Sequence, residues 1–372
     1  MKEICKKDDC TGCYACFNSC PKSSIEMKED EYGFYFPVID ETRCINCNLC
    51  KMVCPNVTSQ SLRYPRKALA AISKNVYDYQ TATSGGVATT LAKRILSENG
   101  VVYGAVMDEN LSVYHERITS IDKVEKLKGS KYVQSLIKNT FLSVKKDLSK
   151  ERKVLFIGTP CQCAGLRSFL HKDYKQLYVC DIVCHGVPSI KMLNDHVQAV
   201  VGKREVDKIS FRDKDGYCLS IFNHGKCEYR KKGFYDLFCI GFLKGLYCRE
   251  ACYACKYAAK KRIGDLTLGD FWGFDYRKER FPVETQYGLS LILVNTEQGE
   301  VLLSECKDDL ILMQRDIDEA IKGNHQLNAP SLKHKNHDKF MKLYQKYGFE
   351  EAADKTLFVE KFKHWLLVKM GY

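Results

Sequence analysis

The chain has 372 residues, of which 45% are hydrophobic and 28% charged, a composition typical of a globular protein with a small module and one or two ordinary domains. No apolar stretch is long enough to span a membrane, and the N-terminus has no apolar signal core, so we expect a cytoplasmic protein. The formal net charge of +12 suggests an acidic partner. Because the basic residues are spread along the chain, we expect no nucleic-acid binding.

The chain contains 20 cysteines, many of them in tight local groups separated by long tracts that have none. In a reducing compartment such cysteines are metal ligands or catalytic thiols more often than disulfides. The first sixty residues hold two copies of one motif, in which three cysteines at CxxCxxC spacing are followed by a fourth cysteine and a proline. This spacing is that of bacterial two-cluster ferredoxins, in which the fourth cysteine of each run ligates the other cluster.

The repeat therefore predicts two [4Fe–4S] clusters in a ferredoxin-type domain over residues 1–58. We expect one cluster to be held by Cys10, Cys13, Cys16 and Cys54, and the other by Cys44, Cys47, Cys50 and Cys20. Zinc is the alternative for CxxC pairs, but a zinc site does not require two copies of a four-cysteine run. The segments Ser24–Lys28 and Phe34–Val38 are predicted to be strands joined by a turn. Cys5 lies outside the pattern and receives no role.

After a polar linker the pattern changes to alternating strands and helices. Strands are predicted at Ala68–Ile72, Val101–Val106, Lys153–Gly158 and Leu177–Val183. Helices are predicted after the Ser84-Gly85-Gly86 turn, with Ser84 as the N-cap, and after Gly158, with Pro160 in the first turn. This alternation favours an α/β domain that binds ligands at the strand ends, where glycine at a helix N-terminus lets backbone N–H groups approach a phosphate.

A third cysteine group has the spacing Cys248-x-x-x-Cys252-x-x-Cys255. A fourth ligand from the middle of the chain, either Cys184 or Cys161, would complete a third [4Fe–4S] cluster. The same spacing occurs in radical-SAM enzymes, in which it opens a large barrel. Only about half of a barrel's length remains after Cys255. The aromatic residue that normally precedes the last cysteine is also displaced, because Tyr253 stands one position earlier. We therefore favour the cluster over the radical-SAM alternative.

The middle of the chain resembles a known family, the β subunit of coenzyme F420-reducing hydrogenase and dehydrogenase. The resemblance runs from about Ala68 to about Val294. The motifs that carry it are Ser84-Gly85-Gly86-Val87, Gly129-Ser130-Lys131-Tyr132-Val133-Gln134, Gly158-Thr159-Pro160-Cys161-Gln162, Cys184-His185-Gly186-Val187-Pro188-Ser189, Phe211-Arg212-Asp213-Lys214, the Cys248 triple and Gly264–Gly273. Members with a ferredoxin module fused at the N-terminus resemble the whole chain.

The resemblance implies an α+β or α/β architecture, in which the ferredoxin-like two-cluster module precedes a mixed α/β flavin-binding domain with a C-terminal helical extension. We expect the flavin domain to have an N-terminal part at residues 68–150 and a C-terminal part at 151–324, which carries the third cluster. A helical tail is expected at 325–372, where aromatic residues such as Phe340, Tyr344, Phe358, Phe362 and Trp365 either close the domain or dock a partner.

The resemblance also implies a bound FAD. Its expected contacts are Ser84, Gly85, Gly86, Thr89, Lys131, Tyr132, Gln134, Gly158, Thr159, Pro160 and Gln162. The third cluster is expected beside it, with Cys184, Cys248, Cys252 and Cys255 as ligands, and with Cys161 as the alternative fourth ligand or as a thiol near the flavin. Candidates for a catalytic role are His185, Cys161 and Lys131. Asp270 and Trp272 are either site residues or packing residues, and Cys180 is expected to be a buried strand residue.

The function implied is an oxidoreductase that moves electrons between a ferredoxin or another redox protein and a small molecule, through the clusters and FAD, because flavin exchanges electrons singly or in pairs. Coenzyme F420 is one expected substrate, and other small molecules are equally compatible. The alternative is an electron-transfer or redox-sensing protein without a substrate of its own. The sequence leaves open whether the chain is a homo-oligomer or part of a larger complex.

Overall fold

The structure, a computed structural model, describes residues 3–213 and 216–361. Its α-helices are α1 Ala15–Ser19, α2 Leu49–Met52, α3 Val76–Thr81, α4 Val87–Ser97, α5 Thr140–Leu148, α6 Pro160–Leu170, α7 Ile190–Val201, α8 Leu237–Leu243, α9 Glu250–Tyr253, α10 Glu297–Glu305, α11 Ile317–Gly323, α12 His337–Tyr347 and α13 Phe349–Thr356. Its strands are β1 Ile25–Glu29, β2 Tyr35–Ile39, β3 Lys67–Ser73, β4 Val101–Met107, β5 Val113–Ile118, β6 Val154–Gly158, β7 Leu177–Ile182, β8 Lys208–Asp213, β9 Gly216–Asn223, β10 Lys226–Lys232, β11 Leu266–Asp270, β12 Ser290–Val294 and β13 Leu310–Arg315.

The N-terminal module is built on the hairpin β1–β2, whose antiparallel register pairs Ile25 with Ile39. The two predicted strands are thus present. Two short helices, α1 and α2, each contain the third cysteine of a four-cysteine run, Cys16 and Cys50. Ala15 and Val53 are fully buried in the same apolar cluster as residues of α5 and α6. The module therefore packs directly onto the larger domain and not only onto its own small core.

The larger domain is organised around an eight-stranded sheet in the order β13-β3-β12-β11-β7-β6-β4-β5. The four central strands β11, β7, β6 and β4 are parallel to one another, and the flanking strands pair antiparallel. A separate three-stranded antiparallel sheet has the order β10-β9-β8. The fold is therefore a two-cluster-type module followed by a mixed α/β domain, as the sequence predicts, and the sheet is open, unlike a barrel.

Both faces of the central strands are apolar, as expected for parallel strands covered by helices on each side. Val154 and Phe156 of β6 point into one apolar cluster with α5 and α6, whereas Leu155 between them points into another with α4 and α10. The strands β4 and β7 alternate in the same way. The two helical layers fix the ends of the parallel strands.

The prediction that Ser84 caps a helix is wrong. Helix α4 begins at Val87, and Gly86 is its N-cap, with a φ of 80° and no side-chain cap hydrogen bond. Gly85 is pressed against β3, since a Cβ atom on it would lie 2.2 Å from the carbonyl oxygen of Ala71. The two glycines are needed for this close turn, which places Ser84 two residues before the cap.

The C-terminal helices close the domain. Phe340, Tyr344 and Phe349 are buried in the cluster that also contains residues of α7 and α8. Phe358 is 67% exposed, and Phe362 and Trp365 lie outside the described residues. No helix in the described ranges combines the length and apolar character that crossing a bilayer requires.

A buried charge cluster fastens α13 to this domain. His196 on α7 bonds Asp236 at 2.9 Å through Nε2 and Glu350 of α13 through Nδ1. Burial by itself would lower the pKa of His196, but the hydrogen bonds to Asp236 and Glu350 outweigh burial and raise that pKa to about 9. The protonated histidine therefore stabilises the folded state more than the neutral one does.

We expect this stabilisation to depend on pH. A group whose pKa is raised on folding contributes fully below its unfolded-state value and loses the contribution as pH rises through the folded value of about 9. The difference in melting temperature between the native protein and His196→Gln should thus be largest at or below about pH 6.5 and shrink by pH 10. His224→Gln, at a histidine with an 81% exposed side chain, is the control and should show no such trend.

Candidate cofactor cleft and cysteine sets

A cleft of about 410 Å³ opens at the carboxyl ends of the four parallel strands. Its floor includes Ala105 of β4, Gly158 at the end of β6, Ile182 of β7 and Gly269 of β11. In open α/β sheets this is the edge at which ligands bind, because the loops leaving the strands diverge there. The fold therefore brings three of the predicted segments, around Ser84, Lys131 and Gly158, to one cavity.

The N-terminus of α4 forms one wall of the cleft. Ser84, Gly86 and Thr89 line it. The hydroxyl oxygen of Ser84 is buried and has no hydrogen-bond partner within the described part of the chain. A buried polar atom normally has a partner, and free backbone N–H groups at a helix N-terminus favour an anion. This wall is suited to a phosphate group.

Aromatic rings form another wall. Tyr132 stacks on Phe242 with ring centroids 5.0 Å apart and on Tyr217 at 6.1 Å, and Tyr217 stacks on Trp272 at 6.2 Å. The guanidinium of Arg212 lies 4.4 Å from the Tyr217 ring centroid and makes a two-pronged ion pair with Asp270, at 3.1 and 2.8 Å. Flat aromatic faces held in this way can bind a planar ring system.

Lys131 reaches the cleft, but its ammonium is bonded to backbone carbonyls. Its Nζ donates to the oxygens of Lys126, Leu127 and Lys128, at 3.3, 3.0 and 2.8 Å. Burial lowers its pKa to about 7. These bonds fix the loop that carries Gly129, Ser130 and Tyr132, so the contacts of Lys131 are those of a residue that shapes the cleft.

Two cleft histidines are held neutral by burial. His115 pairs its Nδ1 with Ser135 at 2.8 Å and its Nε2 with the carbonyl of Ile157 at 3.0 Å, and burial lowers its pKa to about 4. His185, a predicted catalytic candidate, pairs Nε2 with the carbonyl of Phe242 and Nδ1 with the amide of Gln326. Burial lowers the pKa of His185 as well. Both rings have their two nitrogens occupied by protein groups.

Three residues predicted to contact the cofactor do not line the cleft. Gly85 faces β3, and Pro160 is a buried residue in the first turn of α6. Gln134 points to the N-terminal module, where its amide nitrogen donates to the carbonyl of Thr11 at 2.9 Å. Thr159 and Gln162 do line the cleft, and they form the capping box that starts α6. The predictions for Gly85, Pro160 and Gln134 are corrected accordingly.

The predicted ligands of the first cluster meet in one small cavity. Its lining contains Cys10, Cys13, Cys16 and Cys54, together with Cys5, which has no role in the sequence pattern. A hydrogen bond from Cys5 lowers the pKa of Cys10, burial opposes this, and the charge of Arg249 lowers it further, to about 6. Ionised thiols are the form that binds iron.

The four cysteines of the second set lie on the opposite, outer side of the module. Cys44 and Cys50 are partly buried and Cys47 is exposed. Burial raises the pKa of Cys50, as do charges on Cys47 and Cys20. Cys20 accepts a hydrogen bond from the backbone N–H of Ser24 at 3.3 Å. Among the exposed apolar residues of the module, Ile45 and Met52 stand in this segment, at 56% and 58% exposed.

A third set of thiols gathers between the module and the cleft. Burial raises the pKa of Cys184 well above its usual value, and the charges of Cys252, Cys161 and Cys255 add to this. Charge on Cys184 in turn raises the pKa of Cys248. Cys184 is thus electrostatically coupled to all three cysteines of the CxxxCxxC triple. Cys184 also lines the cleft, and Cys161 does not.

These donor sets suit iron–sulfur clusters better than single ions. Within residues 3–213 and 216–361 no three His, Cys, Asp or Glu side chains are grouped for a single metal ion. A cubane instead spreads four thiolates around a larger core, and thiolate-only donor sets in groups of four are its usual ligands. The three sets fit this chemistry, and the cleft, with its phosphate-type wall and aromatic wall, fits a dinucleotide that carries a planar ring.

Sequence reasoning did not assign His115, Ser135, Arg212, Tyr217 or Phe242 to the cleft. The Phe211-Arg212-Asp213-Lys214 motif is a visible signal for one of them. Asp270 and Trp272, for which packing and site roles are equally compatible with the sequence, both line the cleft. Cys180 is buried in β7, as expected.

Comparison with known proteins agrees with this architecture. Residues 151–320 match the family model for the C terminus of the beta subunit of coenzyme F420 hydrogenase/dehydrogenase, and residues 9–57 match the 4Fe-4S dicluster domain. The F subunit of the F(420)H(2) dehydrogenase of Methanosarcina mazei is 22% identical over 331 residues, 84% of this chain and 87% of that protein.

The coenzyme F420-dependent sulfite reductase of Methanocaldococcus jannaschii is 25% identical over 324 residues, 81% of this chain but 46% of that protein, so the chain spans about half of that relative. A chain of the F420-reducing [NiFe] hydrogenase complex from Methanosarcina barkeri has a similar fold, with a TM-score of 0.50, 16% identity, and coverage of 81% of this chain and 94% of that one. The chain therefore belongs to the family of coenzyme F420 hydrogenase/dehydrogenase beta subunits, which are iron–sulfur oxidoreductases, and carries a 4Fe-4S dicluster domain at its N-terminal side.

Proposed function

We propose that this protein is an iron–sulfur flavoprotein with FAD in the cleft and three [4Fe–4S] clusters, and that it transfers electrons between a one-electron carrier protein and a small organic substrate. The observation that carries the proposal is the position of Cys184, which lines the cleft while its thiol is coupled to the CxxxCxxC triple. A flavin supplies the conversion between one-electron and two-electron chemistry when it is bound.

The residues that would hold the FAD come from separate loops. Ser84, Gly86 and Thr89 would bind its pyrophosphate at the start of α4, and the loop Gly158–Thr159 would approach from the neighbouring strand. Tyr132, fixed between Phe242 and Tyr217, offers a flat apolar surface to the ring. The neutral His115 and His185 exclude fixed positive charge from the interior of the cleft.

The order of the thiol sets supports a direction through the protein. The second set lies at the exposed face of the module, where Cys47 is accessible to a ferredoxin or another redox protein. The first set is buried next to α6, because the Cys13 sulfur lies 3.1 Å from the position of a Cβ on Gly165. Cys161 on α6 is electrostatically coupled to Cys13 on one side and to Cys255 on the other.

The substrate belongs to this proposal too. The dehydrogenase and sulfite reductase relatives are named for coenzyme F420, and we propose either this coenzyme or another planar two-electron carrier for the mouth of the cleft. Trp272 is 59% exposed there and stacks on Tyr217, so it offers a surface for a second ring. No described side chains form a nucleophile–base pair in the cleft, which fits electron transfer rather than covalent catalysis.

Anaerobic purification tests the proposal, with iron, sulfide and flavin counted in the same sample. We expect about twelve irons and one FAD per chain, since each cubane holds about four irons. Dithionite or reduced ferredoxin should then bleach the flavin absorbance, and a two-electron acceptor should restore it. A protein with the full iron content but without FAD would instead favour an electron-transfer or redox-sensing role.

A further inference from the structure

Arg249 lies buried at the junction of the N-terminal module and the larger domain. Its side chain is 1% exposed. Its Nε donates to the carbonyl oxygen of Cys10 at 2.6 Å, and its two terminal nitrogens donate to the carbonyl of Tyr35 at 2.8 Å and to the side-chain oxygen of Gln134 at 2.9 Å. The guanidinium also lies 4.3 Å from the centroid of the Phe36 ring. All of these partners are uncharged.

The positive charge of Arg249 has no carboxylate partner in the described part of the chain. The other fully buried arginine, Arg262, is paired with Asp181 at 2.7 Å. Taking a charge out of water without a counter-charge is costly, so buried charges are normally paired. The neutral acceptors satisfy the hydrogen bonds of Arg249 but leave its charge unbalanced.

The nearest groups that can carry negative charge are thiols of the cysteine sets. Arg249 follows Cys248 in the chain, and its carbonyl oxygen accepts from the backbone N–H of Cys252 at 2.8 Å. Its side chain crosses to Cys10, and its charge lowers the pKa of both Cys10 and Cys161 against the effect of burial. The guanidinium therefore stands between the first and the third set.

We propose that the buried charge of Arg249 is balanced by the iron–sulfur cluster of the first set, and that it raises the reduction potential of that cluster relative to the exposed second set. Uptake of one electron adds one negative charge there without any bond being made or broken, so a fixed, desolvated positive charge favours the reduced form. Arg249 would thus make the buried first set the preferred resting place of an electron that enters at Cys47.

This inference rests on the ligand sets of the proposed function, and a redox titration followed by electron paramagnetic resonance tests it separately. In Arg249→Gln we expect one fitted cluster potential to fall by at least about 59 mV, which corresponds to a tenfold change in a one-electron equilibrium. The other two potentials should stay in place. In Arg249→Lys, which keeps the charge, the first potential should return most of the way to its native value.

Arg43→Gln is the matched control. Arg43 precedes the ligand Cys44 as Arg249 follows Cys248, but it is 56% exposed and paired with Asp40 at 2.7 Å, so removing it should leave all three potentials unchanged. Equal shifts in the lysine and glutamine variants, or an unshifted potential in a fully loaded Arg249→Gln, would overturn the proposal. If Arg249→Gln loses iron, the lysine variant decides, since a purely steric role for Arg249 predicts iron loss there too. A native iron count well below twelve would contradict the ligand sets instead.

Discussion

Cys184→Ser is expected to lose about four irons per chain and to block reduction of the cleft cofactor by the N-terminal module. Of the five thiols around the third set, only Cys184 both lines the cleft and is coupled to Cys248, Cys252 and Cys255. A serine oxygen is a poor substitute for a thiolate on iron. Iron content should fall from about twelve to about eight, while the clusters of the module remain.

Two further cysteine variants make this result specific. Cys161→Ser should keep about twelve irons, because Cys161 lies between the first and third sets and bonds Thr159 at 3.2 Å. Cys180→Ser replaces a buried strand cysteine with no place in any set and controls for destabilisation. Iron loss in Cys161→Ser with full retention in Cys184→Ser would make Cys161 the fourth ligand. Flavin reduction by dithionite-reduced ferredoxin, followed at the flavin absorption band, gives the second readout.

Features set by local spacing are predictable from the sequence. The two four-cysteine runs predict the first and second sets because each loop must present its cysteines to one cube, and Cys10, Cys13, Cys16 and Cys54 do line one cavity. The strands of the central sheet are continuous apolar runs, which is what burial on both faces requires. The two-cluster fold class and the mixed α/β domain followed from these local patterns.

Features set by contacts between distant segments were not predictable in this way. Arg212 pairs with Asp270 and Gln134 bonds Thr11, contacts that span 58 and 123 residues of sequence. No periodicity or motif spacing reports such pairs, so Gln134 was assigned to the cofactor although it joins the two domains. Ser84 was misassigned for a related reason. Its capping propensity is a local preference, and the packing of Gly85 against β3 overrides that preference.

The corrected position of Ser84 leads to the second large effect. Its hydroxyl is buried, has no partner among the described residues, and lies at the N-terminal end of α4 in the cleft wall. Ser84→Asp should weaken FAD binding by at least about 100-fold, because like charges brought together in a desolvated site cost several kcal/mol. Ser84→Ala should have a much smaller effect, since it removes one hydrogen bond, worth about 1 kcal/mol.

Ser97→Asp is the matched control for Ser84→Asp, because it adds the same charge to the same helix. Ser97 is exposed at the C-terminal end of α4, so its replacement should cost about 0.3–1 kcal/mol of stability through the helix dipole and leave FAD binding intact. Affinity is measured by titrating FAD into deflavinated protein and following the quenching of flavin fluorescence. Because an added carboxylate repels a pyrophosphate but not an uncharged ring, equal affinity in Ser84→Asp and native protein would move the phosphate to another wall of the cleft. Binding of riboflavin, which has no phosphate, should be nearly the same in all four proteins.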